Sequence, residues 1–179
     1  MLYYDIKKAN WFDFPLKEGV HWTPDFKSSS ITRFDKSSIR EDLLEDIESL
    51  GLEFREVLLF SVLPLPYKMV IHIDGHDNGD NAAINWVKTE SKDWTMNWYQ
   101  HNGSDSEKDI TVSTQDTLYI GFPDHECTLI GKHTWKDLPC LVRVDIPHTV
   151  QINDNHPRIC ASMRFKSNNF DHLLEKLTN

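Results

Sequence analysis

From residue 56 onward the chain breaks into short runs rich in branched and aromatic residues. Polar or Gly/Pro-bearing turns separate them. This feature limits the fold most, because such runs can bury themselves only in sheets. The runs cover 56–63, 67–74, 81–88, 94–100, 110–112, 117–121, 140–146, 149–152 and 158–165. Pro64 and Pro66 close the first of them. Many short strands of this kind point to a sandwich, jelly roll or barrel. Ahead of them, Ser38 and Glu41 have the spacing of a capping box, and Leu43, Leu44, Ile47 and Leu50 recur at helical spacing. Gly51 supplies the stop, so a helix is expected over 38–50. Phe170, Leu173, Leu174 and Leu177 predict a second, short helix over 169–177.

Residues 1–36 carry Pro15, Pro24 and the Ser28-Ser29-Ser30 run, and read as irregular structure wrapped on a core. The 179 residues suit a single domain. Within it, 1–55 form an N-terminal segment with a bracing helix, 56–166 a β core and 167–179 a C-terminal helix. A net charge of −9 argues against a general nucleic-acid binder, which needs a basic face to neutralise phosphates. No apolar stretch has the length of a membrane span, and no signal-peptide pattern opens the chain. Cys127, Cys140 and Cys160 are odd in number and lack metal-ligand spacing. They read as reduced thiols, the state expected in the cytoplasm.

Chemistry enters at Val70-Ile71-His72-Ile73-Asp74. Strand alternation places His72 and Asp74 on one face and Ile71 and Ile73 on the other. An imidazole nitrogen and a carboxylate oxygen side by side suit Fe(II), with room for a third ligand from another strand. His76, Asp77 and Asp80 follow in a Gly/Asn-rich loop and compete as ligands. A loop is a poor source of fixed geometry.

The second constellation starts at His148, held behind Pro147 at the head of a strand. After the turn 154–157, Arg158, Cys160, Ser162 and Arg164 alternate onto one face of the last strand. That face is either solvated or an anion site, since a guanidinium fork binds a carboxylate bidentately and a Ser hydroxyl can support the same group. An antiparallel return across the turn would set Arg158 beside the ligand at His148. His101, His125 and His133 lie in the central region without such strand context.

The pattern His72-x-Asp74, then His148, then Arg158 ten positions later, resembles the Fe(II)/2-oxoglutarate dioxygenase superfamily. The stretch from Pro147 to Phe165 is similar to the end of aspartyl/asparaginyl β-hydroxylase-like proteins and their bacterial and phage relatives. The resemblance covers roughly residues 60–166. It implies a double-stranded β-helix (a cupin-like jelly roll, mainly β with flanking helices), with His72, Asp74 and His148 as the metal-binding and catalytic triad. It also implies Arg158 on the far carboxylate of the cosubstrate, with Arg164 on the same strand face as the competing anchor. Cys160 stands where many members carry Ser, which makes Ser162 the expected hydroxyl partner. The long gap between Asp74 and His148 implies an inserted loop around 101–138. Tyr67, Asn85 and Tyr99 are candidates for contacts to 2-oxoglutarate or behind the ligands.

The activity this implies is that of a hydroxylase, oxidising a small molecule or peptide side chain with Fe(II), 2-oxoglutarate and O2. No nucleic-acid or membrane partner is expected, and the oligomeric state is not legible. Two other readings use the same residues. One is a cupin-like metalloenzyme that works without 2-oxoglutarate. The other is a non-enzymatic jelly-roll binding module whose His and Asp decorate a surface.

Overall fold

A computed structural model describes residues 1–20, 30–62, 67–74, 81–103, 109–112, 118–166 and 169–179; of Tyr67, 109–112 and Leu118 it describes the backbone alone. Strands are numbered in chain order. One sheet contains β1 (Tyr3–Asp5), β2 (Ser30–Phe34), β3 (Phe54–Val62), β6 (Ala82–Thr89), β11 (Cys140–Arg143) and β13 (Arg158–Phe165). Its spatial order is β1-β11-β6-β13-β3-β2. The other contains β5 (Ile71–Asp74), β7 (Trp94–His101), β8 (Asp109–Val112), β9 (Leu118–Phe122), β10 (Cys127–His133) and β12 (His148–Ile152). Its order is β10-β7-β12-β5-β9-β8, and β4 (Tyr67–Lys68) pairs with β12. Every pairing is antiparallel. The protein is therefore mainly β, with two antiparallel sheets and two α-helices, α1 (Glu41–Ser49) and α2 (Phe170–Thr178), among the described residues.

Two apolar layers follow from strand alternation. Between the sheets lie Val62, Val87, Val142 and Cys160 from the first and Trp94, Met96, Trp98 and Ile152 from the second. On the outer face of the first sheet, Val57, Leu59, Ile84, Trp86, Ala161, Met163 and Phe165 meet the helices. There α1 contributes Leu43, Leu44 and Ile47, and α2 contributes Phe170, Leu173 and Leu177. The helices thus brace one sheet from outside. No helix is long and apolar enough to cross a membrane among the described residues.

Several expectations about elements need correction. Residues 1–36 are not wholly irregular: β1 and β2 form the two edges of the first sheet. Three residues are too few to show a period, and β2 spends Ser30, Thr32 and Arg33 on a partly exposed edge, which hides its alternation. The region 101–138 is not simply an inserted loop. It contains β10, whose register with β7 shifts between Leu129 and Gly131. A bulge of that kind breaks the alternation a strand reading depends on.

The expected capping box also fails. Ser38 closes a short turn over Lys36–Ser38, which Asp35 caps by accepting from the Ser37 N–H. Arg40 is extended and begins α1 with no side-chain cap. Gly51 does stop the helix, at φ +70°, a conformation glycine adopts without penalty.

Candidate metal centre

β5 and β12 are hydrogen-bonded neighbours, and His72 stands directly across from His148. Two residues along β5, Asp74 lies on the same face. Ile71 and Ile73 take the other face, against Ile120 and Phe122. The backbone holds this end firmly, since the Asp74 N–H donates to the Val144 carbonyl and the Tyr99 N–H to that of Pro147. Three side chains from two strands converge as a result. One ligand atom from each of His72, Asp74 and His148 lies within 4.8 Å of the others.

The imidazoles are aimed. His72 Nδ1 is 2.7 Å from the Val70 carbonyl, and His148 Nδ1 is 2.9 Å from that of Ile146. A carbonyl only accepts, so each Nδ1 carries the proton and donates it. The same device serves both histidines: a carbonyl two residues earlier fixes the ring. Each Nε2 then faces Asp74, whose Oδ1 is 3.1 Å from His72 Nε2 and 3.7 Å from His148 Nε2. The two rings are 4.5 Å apart, and Tyr119 meets the His72 ring edge-on at 4.8 Å.

The charges are set as well. Burial favours a protonated Asp74. The Arg164 guanidinium, with the two histidines, outweighs it and holds the carboxyl well below the usual carboxylate range. Arg164 Nη2 donates to Asp74 Oδ2 at 2.7 Å, which leaves Oδ1 for the imidazole side. Burial and the neighbouring His72 lower His148 to about 4, against the pull of Asp74. His148 is thus a neutral ligand at pH 7. Two imidazole nitrogens and one carboxylate oxygen brought this close together suit a divalent metal. This buried group can hold a metal ion.

The other site expectations divide. Asn85 and Ser162 are buried, stand opposite each other in register, and point between the sheets. Asn85 Oδ1 and Ser162 Oγ have no hydrogen-bond partner among the described residues. Tyr99 is a correction. It alternates with the inward Trp98 and so lies on the outer face with Ile71, Phe122 and Cys127, away from the triad. The side chain of Tyr67 and the loop residues His76, Asp77 and Asp80 lie outside the described residues. His101 pairs with Glu126 at 3.1 Å, His125 is exposed, and His133 pairs with Asp5 at 2.9 Å.

The two arginines exchange places relative to expectation. β12 and β13 belong to different sheets, so the turn between them crosses the sandwich and makes no antiparallel pair. It is Arg164, six residues further along β13, that reaches the triad. Arg158 lies about 20 Å from Arg164 along the strand, buried, with its guanidinium 4.6 Å over the Trp94 ring. Among the described residues no carboxylate pairs with it and its Nε has no hydrogen-bond partner, while the guanidinium meets the Cys160 thiol. Nothing in the sequence marks Arg164 as the residue on Asp74, because only the sheet crossing selects between two arginines on one face. Comparison with family models, curated proteins and solved structures found no match.

Proposed function

We propose that this chain is a non-haem Fe(II), 2-oxoglutarate-dependent oxygenase, acting as a hydroxylase on a small molecule or a peptide side chain. The carrying observation is the pairing of a convergent two-His, one-carboxylate group with a buried arginine that has no acidic partner among the described residues. A buried cation that meets the Cys160 thiol and the Trp94 ring but no carboxylate among the described residues is costly, and a dianionic cosubstrate resolves it. A double-stranded β-helix suits the chain path. β3-β13-β6-β11 faces β5-β12-β7-β10, and successive strands β11, β12 and β13 alternate between sheets.

In this reading His72, Asp74 and His148 are the residues that would hold Fe(II). Bound iron would supply O2 activation coupled to decarboxylation of 2-oxoglutarate to succinate and CO2. The protein's part is binding and orientation. Arg164 fixes which Asp74 oxygen faces the metal, and the Val70 and Ile146 carbonyls keep both Nε2 lone pairs available. Trp94 is level with Ile152, four residues of β12 or about 13 Å from His148. A five-carbon diacid is shorter than that distance, so in this reading the Arg158 guanidinium swings from the Trp94 ring towards the metal to meet it, with Ser162 and Asn85 offering hydrogen bonds on the way.

Anaerobic titration with Fe(II) and then 2-oxoglutarate tests this by the metal-to-ligand charge-transfer band of the chelate. Wild type should develop the band. Arg158→Ala should keep the metal and lose about 2–5 kcal/mol of cosubstrate binding, tens-fold to thousands-fold. Arg158→Lys should also lose affinity, because an ammonium cannot replace the planar fork. A wild type that binds Fe(II) but not 2-oxoglutarate would move the chain to the metalloenzymes that work without it. If only Arg164→Ala loses the cosubstrate, Arg158 is not the anchor.

A further inference from the structure

A second convergence of ligand-type side chains lies at the edges of the sandwich, away from the triad. Asp5 on β1, His133 at the end of β10 and Cys140 on β11 bring one ligand atom each within 4.8 Å of one another. Asp5 and Cys140 are direct partners in the β1–β11 register. His133 belongs to the other sheet, and its Nε2 is 2.9 Å from Asp5 Oδ1. The group therefore spans the two sheets where their edge strands meet.

Each member is held. The His133 ring stacks on Tyr3 at 3.7 Å between centroids and 9° between planes, with Trp135 at 5.5 Å. Cys140 is fully buried. Leu2, just ahead of β1, packs its Cδ1 over Gly131 of β10, 2.4 Å from where a Cβ would stand. Burial and the facing Asp5 carboxylate disfavour the Cys140 thiolate in the absence of a cation.

We propose that Asp5, His133 and Cys140 form a second divalent-metal site, of the Zn2+ class, that fastens β1 and β11 of one sheet to β10 of the other. Thiolate, imidazole and carboxylate together suit a borderline-soft tetrahedral ion, with water as the fourth ligand on the half-exposed Asp5 side. Binding exchanges protons for metal. The thiol S–H bond breaks, its proton leaves to solvent, and the thiolate sulfur bonds the ion. His133 binds as a neutral imidazole, through the ring nitrogen that carries no proton, and keeps the N–H on the other.

Cobalt(II) titration of the metal-free, reduced full chain tests the site, because a Co2+–thiolate bond gives a sulfur-to-metal charge-transfer band. The triad contains no sulfur, so it cannot produce that band. Wild type should bind two Co2+ per chain and show the band; His148→Ala should keep the band and bind one. Cys140→Ser should bind one and lose the band, and Asp5→Asn, on the exposed side, should keep the fold while binding the second ion more weakly. A loss beyond about a hundredfold is expected, since even residues behind the ligands cost 10–100-fold. Absence of the band in wild type, or its survival in a folded Cys140→Ser protein, would overturn the site. If Cys140→Ser does not fold, undiminished affinity in Asp5→Asn would overturn it instead.

Discussion

Asp74 is the residue on which the centre turns, since it faces two imidazoles with one oxygen and Arg164 with the other. A carboxylate so buried is tolerable only while a cation sits beside it. Arg164→Met should therefore destabilise the metal-free protein by about 3–5 kcal/mol, the usual result of breaking a buried pair. Combined with Asp74→Asn it should add little, because the charge it neutralised is gone. Urea unfolding of the two single variants and the double variant measures this coupling; strict additivity would mean the pair does not stabilise the fold. His148 adds a pH dependence. Its folded pKa of about 4 lies below its ordinary 6.5, so the unfolded chain binds the extra proton between those values. Metal-free stability should fall as pH drops from about 6.5 to 4 and gain nothing from this group above that window. His148→Gln should flatten that part of a stability–pH curve relative to wild type. At this scale much was legible: period-two alternation in 71–74 is enough to place His72 and Asp74 on one face. The carbonyls that orient the rings were not, because backbone acceptors carry no side-chain signature.

At the scale of elements, legibility follows burial. β13 was read over its observed span, since its inward and outward faces both meet packed layers and alternate cleanly. β10 escaped because it is an edge strand with a bulge at Gly131 and with Leu129 and Ile130 about half exposed. The periodicity of α1 was plain, but its start was not. Asp35, rather than Ser38, supplies the nearby cap, and that choice depends on the extended Arg40. The role of α1 leads to a separate prediction. Ile47 is fully buried against the outer face of the first sheet, on the opposite side from the triad. Ile47→Ala should cost about 2–5 kcal/mol in stability. Metal affinity measured on the folded fraction should stay within error of wild type. A folded Ile47→Ala protein that no longer binds metal would show that the helix shapes the centre as well as bracing the sheet.

For the whole molecule the decisive fact is that the chain crosses between sheets after β12. That crossing cannot be read from a turn of four residues, because the same turn serves a hairpin equally well. It separates Arg158 from the triad and brings Arg164 to it, and the two-sheet arrangement puts the two candidate metal groups in different mechanical positions. The triad joins β5 to β12 within one sheet, whereas Asp5, His133 and Cys140 join one sheet to the other. Ligand preference should distinguish them in thermal unfolding. Mn2+ is a hard ion that suits carboxylate and imidazole and gains little from a thiolate. At a free concentration of about 100 times its dissociation constant it stabilises the folded state by about 2.7 kcal/mol. For a domain of this size that is a rise in Tm of about 5–11 °C. The rise should vanish in His148→Ala and persist in Cys140→Ser, while Zn2+ should still stabilise His148→Ala through the second group. A Mn2+ shift that survives loss of His148 would place the hard-metal site somewhere other than the triad, and the iron-dependent reading would lose its foundation.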